Sequence, residues 1–246
     1  MKDIHSHLLY GIDDGCKDQE ESIKILKKLR DAGVTDLILT PHYIEDTKYN
    51  CNNKEKIKIF REFQKRVEEE NIEVNLYLGN EVFFTNDFIS LIEEKEILPL
   101  QNSKYILFEF SMGKIYSNAL RIISNLTRKG YVPIMAHPER YPIFQKTPNM
   151  VVDYLKGGVH LQGNLTSLFG KYGRRAQKTL KYYLKMKWVS FLGSDTHHDV
   201  KWNSKKLEKK LLRITKDPEY VKELMEANFD RIVYNQDLGM VDSREW

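Results

Sequence analysis

The chain opens on Asp3-Ile4-His5-Ser6-His7 and runs on through Gly11-Ile12-Asp13-Asp14-Gly15. Side chains alternate across an extended strand, so two histidines one residue apart share a face and can reach one metal ion. An apolar neighbour at Ile4 and a glycine-bounded aspartate pair downstream mark a strand that ends at a site. Later strand ends repeat that chemistry: Thr40-Pro41-His42, Gly79-Asn80-Glu81, His137-Pro138-Glu139-Arg140 and Gly193-Ser194-Asp195-Thr196-His197.

Between these points short apolar runs alternate with helix-forming stretches. Strands are predicted at 34–40, 74–78, 105–110, 132–136, 159–162 and 188–192, after the opening one. Helices are predicted at 18–30, with Ile23, Leu26 and Leu29 at helical spacing and Gly33 as its cap, then at about 54–71, 86–94, 117–129, 150–156 and 173–187. Beyond Ser204 two closing helices interrupted at Pro218 precede an apolar segment at 232–234. Strands alternating with helices imply parallel pairing through right-handed crossovers. Seven such units point to a closed or nearly closed α/β barrel. No glycine-rich dinucleotide fingerprint follows the first strand. In such barrels the site lies at the C-terminal ends of the strands, where the polar residues fall.

With 246 residues, 41% hydrophobic and 30% charged, the chain has the composition of a globular protein able to bury a substantial core. It is read as a single domain, 1–246. No apolar run approaches the ~20 residues that span a bilayer, and no secretory leader is read, so a cytoplasmic protein is expected. The net charge of +4 is too mild to argue for nucleic acid. The lysine-rich run 201–210 reads as the solvated face of a helix. Cys16 and Cys51 form no CxxC pair and are read as free thiols, Cys16 as a small buried hydrophobe.

The candidate ligands, in chain order, are His5, His7, Asp14, His42, Glu81, Glu109, His137, Asp195 and His197. So many imidazoles and carboxylates at one barrel mouth repel and desolvate one another unless cations offset them. Glu109, between Phe108 and Phe110, is the sharpest case. Manganese, iron and zinc all suit this donor set, and two or three divalent ions fit its size. Glu81 is the candidate bridging carboxylate. Two such ions generate hydroxide at neutral pH and hold an in-line displacement at phosphorus. Arg140, three residues past His137, then acquires a role as a bidentate phosphate grip. His160 reads as a structural histidine inside a strand, and His198 as a residue at the margin of the site.

Taken together with Tyr105-Ile106-Leu107-Phe108-Glu109-Phe110 and Ala136-His137-Pro138-Glu139-Arg140-Tyr141, these motifs resemble the PHP (polymerase and histidinol phosphatase) superfamily. Within it they are most similar to the bacterial CpsB/CapC/YwqE-type tyrosine-protein phosphatases of capsule and exopolysaccharide synthesis. The resemblance covers residues 3 to about 198. It implies a distorted (β/α)7 TIM-like barrel with a metal cluster, usually manganese-preferring. It also implies a partner, the phosphotyrosine-bearing, tyrosine-rich tail of a bacterial tyrosine kinase. The nine residues above match the family's ligands, and Arg140 matches its phosphate-binding arginine.

One departure stands out. Members carry a second arginine shortly after the motif that holds Asp195 and His197, whereas Lys201-Trp202 stand in that region here. Lys201 supplies charge as a substrate contact, but not the guanidinium fork. His197 or Asp199 is the candidate proton donor to the leaving group, although phenol, with a pKa near 10, leaves more easily than an alkanol. Thiolate tyrosine-phosphatase chemistry is excluded, since it needs an arginine six residues after its cysteine, and Ser22 and Ile57 occupy those places. A small-molecule phosphoesterase such as a histidinol phosphatase is the competing reading, and a metal-binding scaffold without turnover the third.

Overall fold

The computed structural model describes residues 1–113 and 115–241. Its strands, all paired in parallel, are β1 (Lys2–Asp3), β2 (Asp36–Leu39), β3 (His42–Tyr43), β4 (Asn75–Leu78), β5 (Glu81–Phe83), β6 (Tyr105–Glu109), β7 (Val132–Ala136), β8 (His160–Asn164) and β9 (Val189–Gly193). They form two sheets, β1-β2-β4 and β3-β5-β6-β7-β8-β9.

The two sheets are halves of one barrel. Pro41 interrupts the ladder between β2 and β3 because it has no N–H to give, and Gly79-Asn80 separates β4 from β5. Across the gaps the paths stay adjacent through Gly79 N to Leu39 O at 2.9 Å and Glu81 N to Pro41 O at 3.3 Å. The last seam lies between the extensions of β1 and β9. There Ser6 bridges Thr196 in parallel, His7 N donates to Thr196 O at 2.9 Å, and Asp195 N donates to His5 O at 2.9 Å. A seven-stranded parallel barrel results, in which the predicted strands 34–40 and 74–78 are each continued, after a break, by a further segment that was not predicted, β3 and β5.

The helices are α1 (Gln19–Asp31), α2 (Asn53–Glu69), α3 (Phe88–Glu93), α4 (Ala119–Arg128), α5 (Pro142–Lys146), α6 (Val152–Lys156), α7 (Leu165–Leu168), α8 (Gly173–Lys185), α9 (Ser204–Thr215), α10 (Pro218–Lys222) and α11 (Asn228–Val233). The Asp18 side chain caps α1 by accepting from Glu21 N, and Gly33, at φ +95°, turns the chain off its end. The predicted helix 150–156 divides into a 3₁₀ turn, Pro148–Val151, and α6. The expected break at Pro218 separates α9 from α10, and the proline itself starts α10 with Asp217 as its cap. From there the chain passes through a π turn, Glu223–Ala227, into α11, so the apolar residues near 232 belong to a helix.

Alternation along β6 divides the core. Tyr105 and Leu107 face the barrel interior with Ile4, Ile38, Ile134 and Phe191, and α11 plugs the bottom with Phe229 and Ile232. Ile106 and Phe108 face the larger layer between strands and helices. Glu109 continues the inward parity of Tyr105 and Leu107, which aims its carboxylate into the upper mouth. No helix among the described residues is long and apolar enough to cross a membrane.

Candidate metal centre

All nine predicted ligands stand at the C-terminal mouth. His5 and His7 follow β1, Asp14 lies on the loop before α1, His42 opens β3 and Glu81 opens β5. Glu109 ends β6, His137 follows β7, and Asp195 and His197 follow β9. The centre of the group is Glu81. Its Oε2 lies 3.1 Å from His42 Nδ1, 3.2 Å from His5 Nε2 and 3.3 Å from His7 Nε2, and its Oε1 accepts from His137 Nε2 at 3.0 Å. Glu109 Oε1 is 3.3 Å from His42 Nδ1, and its Oε2 is 3.6 Å from His137 Nε2. Asp195 Oδ1 is 3.4 Å from His7 Nε2 and 3.7 Å from His5 Nε2. Asp14 closes the outer side, 3.6 Å from His42 Nε2 and 3.5 Å from His197 Nε2.

Local backbone choices produce this convergence. A Cβ on Gly15 would sit 2.0 Å from His7 O, so only glycine lets the Asp13-Asp14 loop fold back onto the first strand. His137 (φ +35°) and Asp195 (φ +51°) both adopt left-handed backbone, which costs about 1–3 kcal/mol per residue and collects at functional sites. Three side chains that the sequence reading did not assign set the imidazoles and the Asp195 carboxylate. Asp13 Oδ2 accepts from His7 Nδ1 at 2.7 Å and from His42 N at 2.9 Å. Gln162 Oε1 takes His5 Nδ1 at 2.9 Å, and Asn164 Nδ2 donates to Asp195 Oδ2 at 2.9 Å. Such outer partners fix which ring nitrogen faces a metal. Asp13 stood within a quoted motif, but nothing in the spacing told it apart from Asp14. Gln162 and Asn164 lie on one face of β8, a pattern that shows only once that strand is placed beside β9.

Electrostatics favour cations here. Burial opposes charge on Glu81, yet His5 and His42 hold its carboxyl well below the usual range. Burial and then the neighbouring Glu81 carboxylate push Glu109 up to about 9. Burial, with the positive field of Arg140, lowers His137 to about 4. Glu81 Oε2 and His42 Nδ1, both buried, make no aligned hydrogen bond although they lie 3.1 Å apart. Lone pairs that converge without hydrogen bonds fit coordination to a divalent ion, and the donor set of imidazole and carboxylate suits one. Among the described residues three overlapping groups have donor atoms within 4.8 Å of one another: His7-Asp14-His42-His197, His5-His7-Glu81 and His42-Glu81-Glu109.

Arg140 stands beside them. Its guanidinium meets Asp195 Oδ2 at 2.5 Å and lies 4.3 Å from the Tyr172 ring centroid, while the Tyr172 hydroxyl donates to the same Oδ2 at 3.3 Å. Lys201 is exposed and pairs with Asp199 at 3.0 Å, both outside the cluster. His160 is buried in β8 and bonded to Ser190 Oγ at 2.8 Å, as expected of a structural histidine. His198 is exposed, 3.4 Å from Glu21. Cys16 and Cys51 are free; Cys16 is buried, and burial pushes its thiol up to about 12.

A family model described as capsular polysaccharide synthesis, CpsB/CapC, matches residues 1–234. A putative tyrosine-protein phosphatase CapC from Staphylococcus aureus is 34% identical over 197 residues, covering 80% of this chain and 77% of that protein. A tyrosine-protein phosphatase CpsB from Streptococcus agalactiae is 31% identical over 206 residues, covering 80% and 83%. One of a pair of crystal structures, of YwqE from Bacillus subtilis and CpsB from Streptococcus pneumoniae, described as unique metal-dependent tyrosine phosphatases, matches with a TM-score of 0.89. It is 25% identical and covers 97% of this chain and 96% of that one.

Proposed function

Because the chain belongs to the CpsB/CapC family of capsular polysaccharide synthesis, we propose that it is a metal-dependent tyrosine-protein phosphatase whose substrate is the phosphotyrosine tail of a bacterial tyrosine kinase. The observation that carries this reading is the set of three overlapping ligand groups beside the Arg140 guanidinium. His5, His7, Asp14, His42, Glu81, Glu109, His137, Asp195 and His197 would hold two or three divalent ions, manganese first, with iron or zinc as alternatives. Those ions would supply Lewis acidity toward the phosphoryl group and a hydroxide nucleophile near neutral pH.

The remaining work belongs to the chain. Arg140, held by Asp195 and Tyr172, is oriented before substrate arrives, and its free N–H groups take phosphate oxygens as a fork. Asp13 and Gln162 occupy the Nδ1 atoms of His7 and His5, so each presents Nε2 inward. His197 joins the ligand set: its Nδ1 lies 3.1 Å from Asp195 O and its Nε2 faces Asp14. A phenol of pKa about 10 departs without strong acid assistance, so no separate proton donor is assigned. Lys201 contributes positive charge at the rim, without bidentate geometry. We read residues 1–246 as one phosphatase domain, supported by a core that runs from Met1 to Met225, and place it in the cytoplasm, where a kinase tail is accessible.

The test is to strip the purified protein with a chelator, restore manganese, iron or zinc in turn, and compare a phosphotyrosine peptide, a phosphoserine peptide and histidinol phosphate. Manganese-restored turnover with preference for phosphotyrosine is expected. Preference for histidinol phosphate, or full turnover after chelation, would overturn the reading.

A further inference from the structure

A cavity of about 380 Å³ opens beside the mouth, lined by Thr166, Phe169, Lys171, Asp199, Lys201 and Trp202. Hydrogen bonds tie it to the phosphate grip. The Thr166 hydroxyl donates to Asn164 Oδ1 at 2.7 Å, and the Asn164 amide donates to Asp195 Oδ2, the oxygen that Arg140 and Tyr172 also touch. Two of its walls are aromatic. Trp202 is 6% exposed, and its indole N–H is buried without an acceptor among the described residues.

A phosphotyrosine whose phosphate meets Arg140 leaves its backbone at the rim. The flanking residues of the peptide, about 3.8 Å apart from Cα to Cα, then run along the side on which Thr166 and Asn164 join the cavity wall to Asp195. At its rim Lys201 pairs with Asp199 at 3.0 Å, and Lys171 Nζ lies 5.3 Å from the Tyr172 ring. What the cavity itself offers is ring surface, from Phe169 and Trp202. We infer that it is a specificity subsite that takes an apolar or aromatic side chain flanking the phosphotyrosine, against the rings of Phe169 and Trp202. This inference rests on the phosphatase reading above.

The test uses manganese-loaded protein and three kinds of substrate: p-nitrophenyl phosphate, which has no flanking residue, and phosphotyrosine pentapeptides with either leucine or alanine on both sides. The leucine peptide should exceed the alanine peptide in kcat/KM by about tenfold, mainly through KM, the range for a side chain in an apolar pocket. Phe169→Ala and Trp202→Phe should each shrink that ratio to below about threefold while p-nitrophenyl phosphate turnover stays at the wild-type level. Phe169 is only half-buried, so its truncation probes the wall even if the Trp202 variant folds poorly. Equal kcat/KM for the two peptides with wild-type protein, or an unchanged ratio in Phe169→Ala, overturns the subsite alone. No turnover of any of the three substrates would overturn the phosphatase reading and the subsite with it.

Discussion

Arg140 and His5 approach the same carboxylate, Asp195, one through its guanidinium and the other as one of the candidate ligands. Truncating each should therefore give different signatures. Arg140→Ala should lower kcat by about 10²-fold or more, as removal of a preorganised charge does, with metal content by elemental analysis unchanged. His5→Ala should lower both. Wild-type turnover in the arginine variant would refute its role. Asp13→Asn probes a different link, since Asp13 accepts from the His7 ring and from the His42 backbone N–H. Metal affinity measured by titration should fall about 10- to 100-fold, and unchanged affinity would show that the His7 ring is oriented by packing alone. At this scale the convergence of the nine side chains was legible because histidines and carboxylates at the ends of apolar strands have few other reasons to be there. Their partners Gln162, Asn164 and Tyr172 were not, because an amide or phenol declares its purpose only when a neighbour is in place.

Elements long enough to show a period were also legible. α1, α2 and α8 fall within two residues of their predicted bounds, because amphipathic spacing and caps both mark them. β3 and β5, of two and three residues, carry no period at all, nor do the short helices α5 and α7. The breaks that create β3 and β5 are tied together by Lys56 of α2, read from sequence merely as part of a charged helix. Its ammonium is buried and donates to Asn80 Oδ1 at 2.8 Å and Asn53 Oδ1 at 3.1 Å, while the Asn80 amide donates to Pro41 O at 2.8 Å. Burial lowers its pKa from 10.5 to about 8. Below about 8 both folded and unfolded chains hold the proton, and the folded state carries the full cost of a buried charge. Between about 8 and 10.5 the unfolded chain binds the extra proton, so stability rises with pH across that window. Lys56→Met, close in shape and uncharged, should therefore be more stable than wild type at pH 7, by on the order of 1–3 kcal/mol in urea denaturation. That advantage should shrink by pH 10. A methionine variant less stable at both pH values would mean that the two asparagine contacts outweigh the desolvation.

Across the whole molecule, the barrel seam and the ligand cluster coincide. Alternating strands and helices announced a barrel, but its closing contacts join Ser6 to Thr196 and His5 to Asp195, pairs some 190 residues apart that no local pattern foretells. His5 and Asp195 serve both the seam and the cluster: their backbones hydrogen-bond at 2.9 Å, and their side chains lie 3.7 Å apart. Without cations the mouth crowds Glu81, Glu109 and Asp195 together, with burial and Glu81 holding Glu109 toward the protonated form. Cation binding to the folded chain should therefore stabilise the fold at its closing edge, by about 2.7 kcal/mol at a hundred times the dissociation constant. For a chain of this size that corresponds to a rise in Tm of roughly 5–10 °C. Differential scanning calorimetry with manganese and with chelator should show this difference in wild type and lose most of it in Asp195→Asn, which keeps the shape but removes the charge. Arg140→Ala, which spares the ligands, should retain it. A Tm unmoved by manganese at concentrations that restore turnover would separate metal binding from barrel closure, and would place the site on a scaffold that holds its shape unaided.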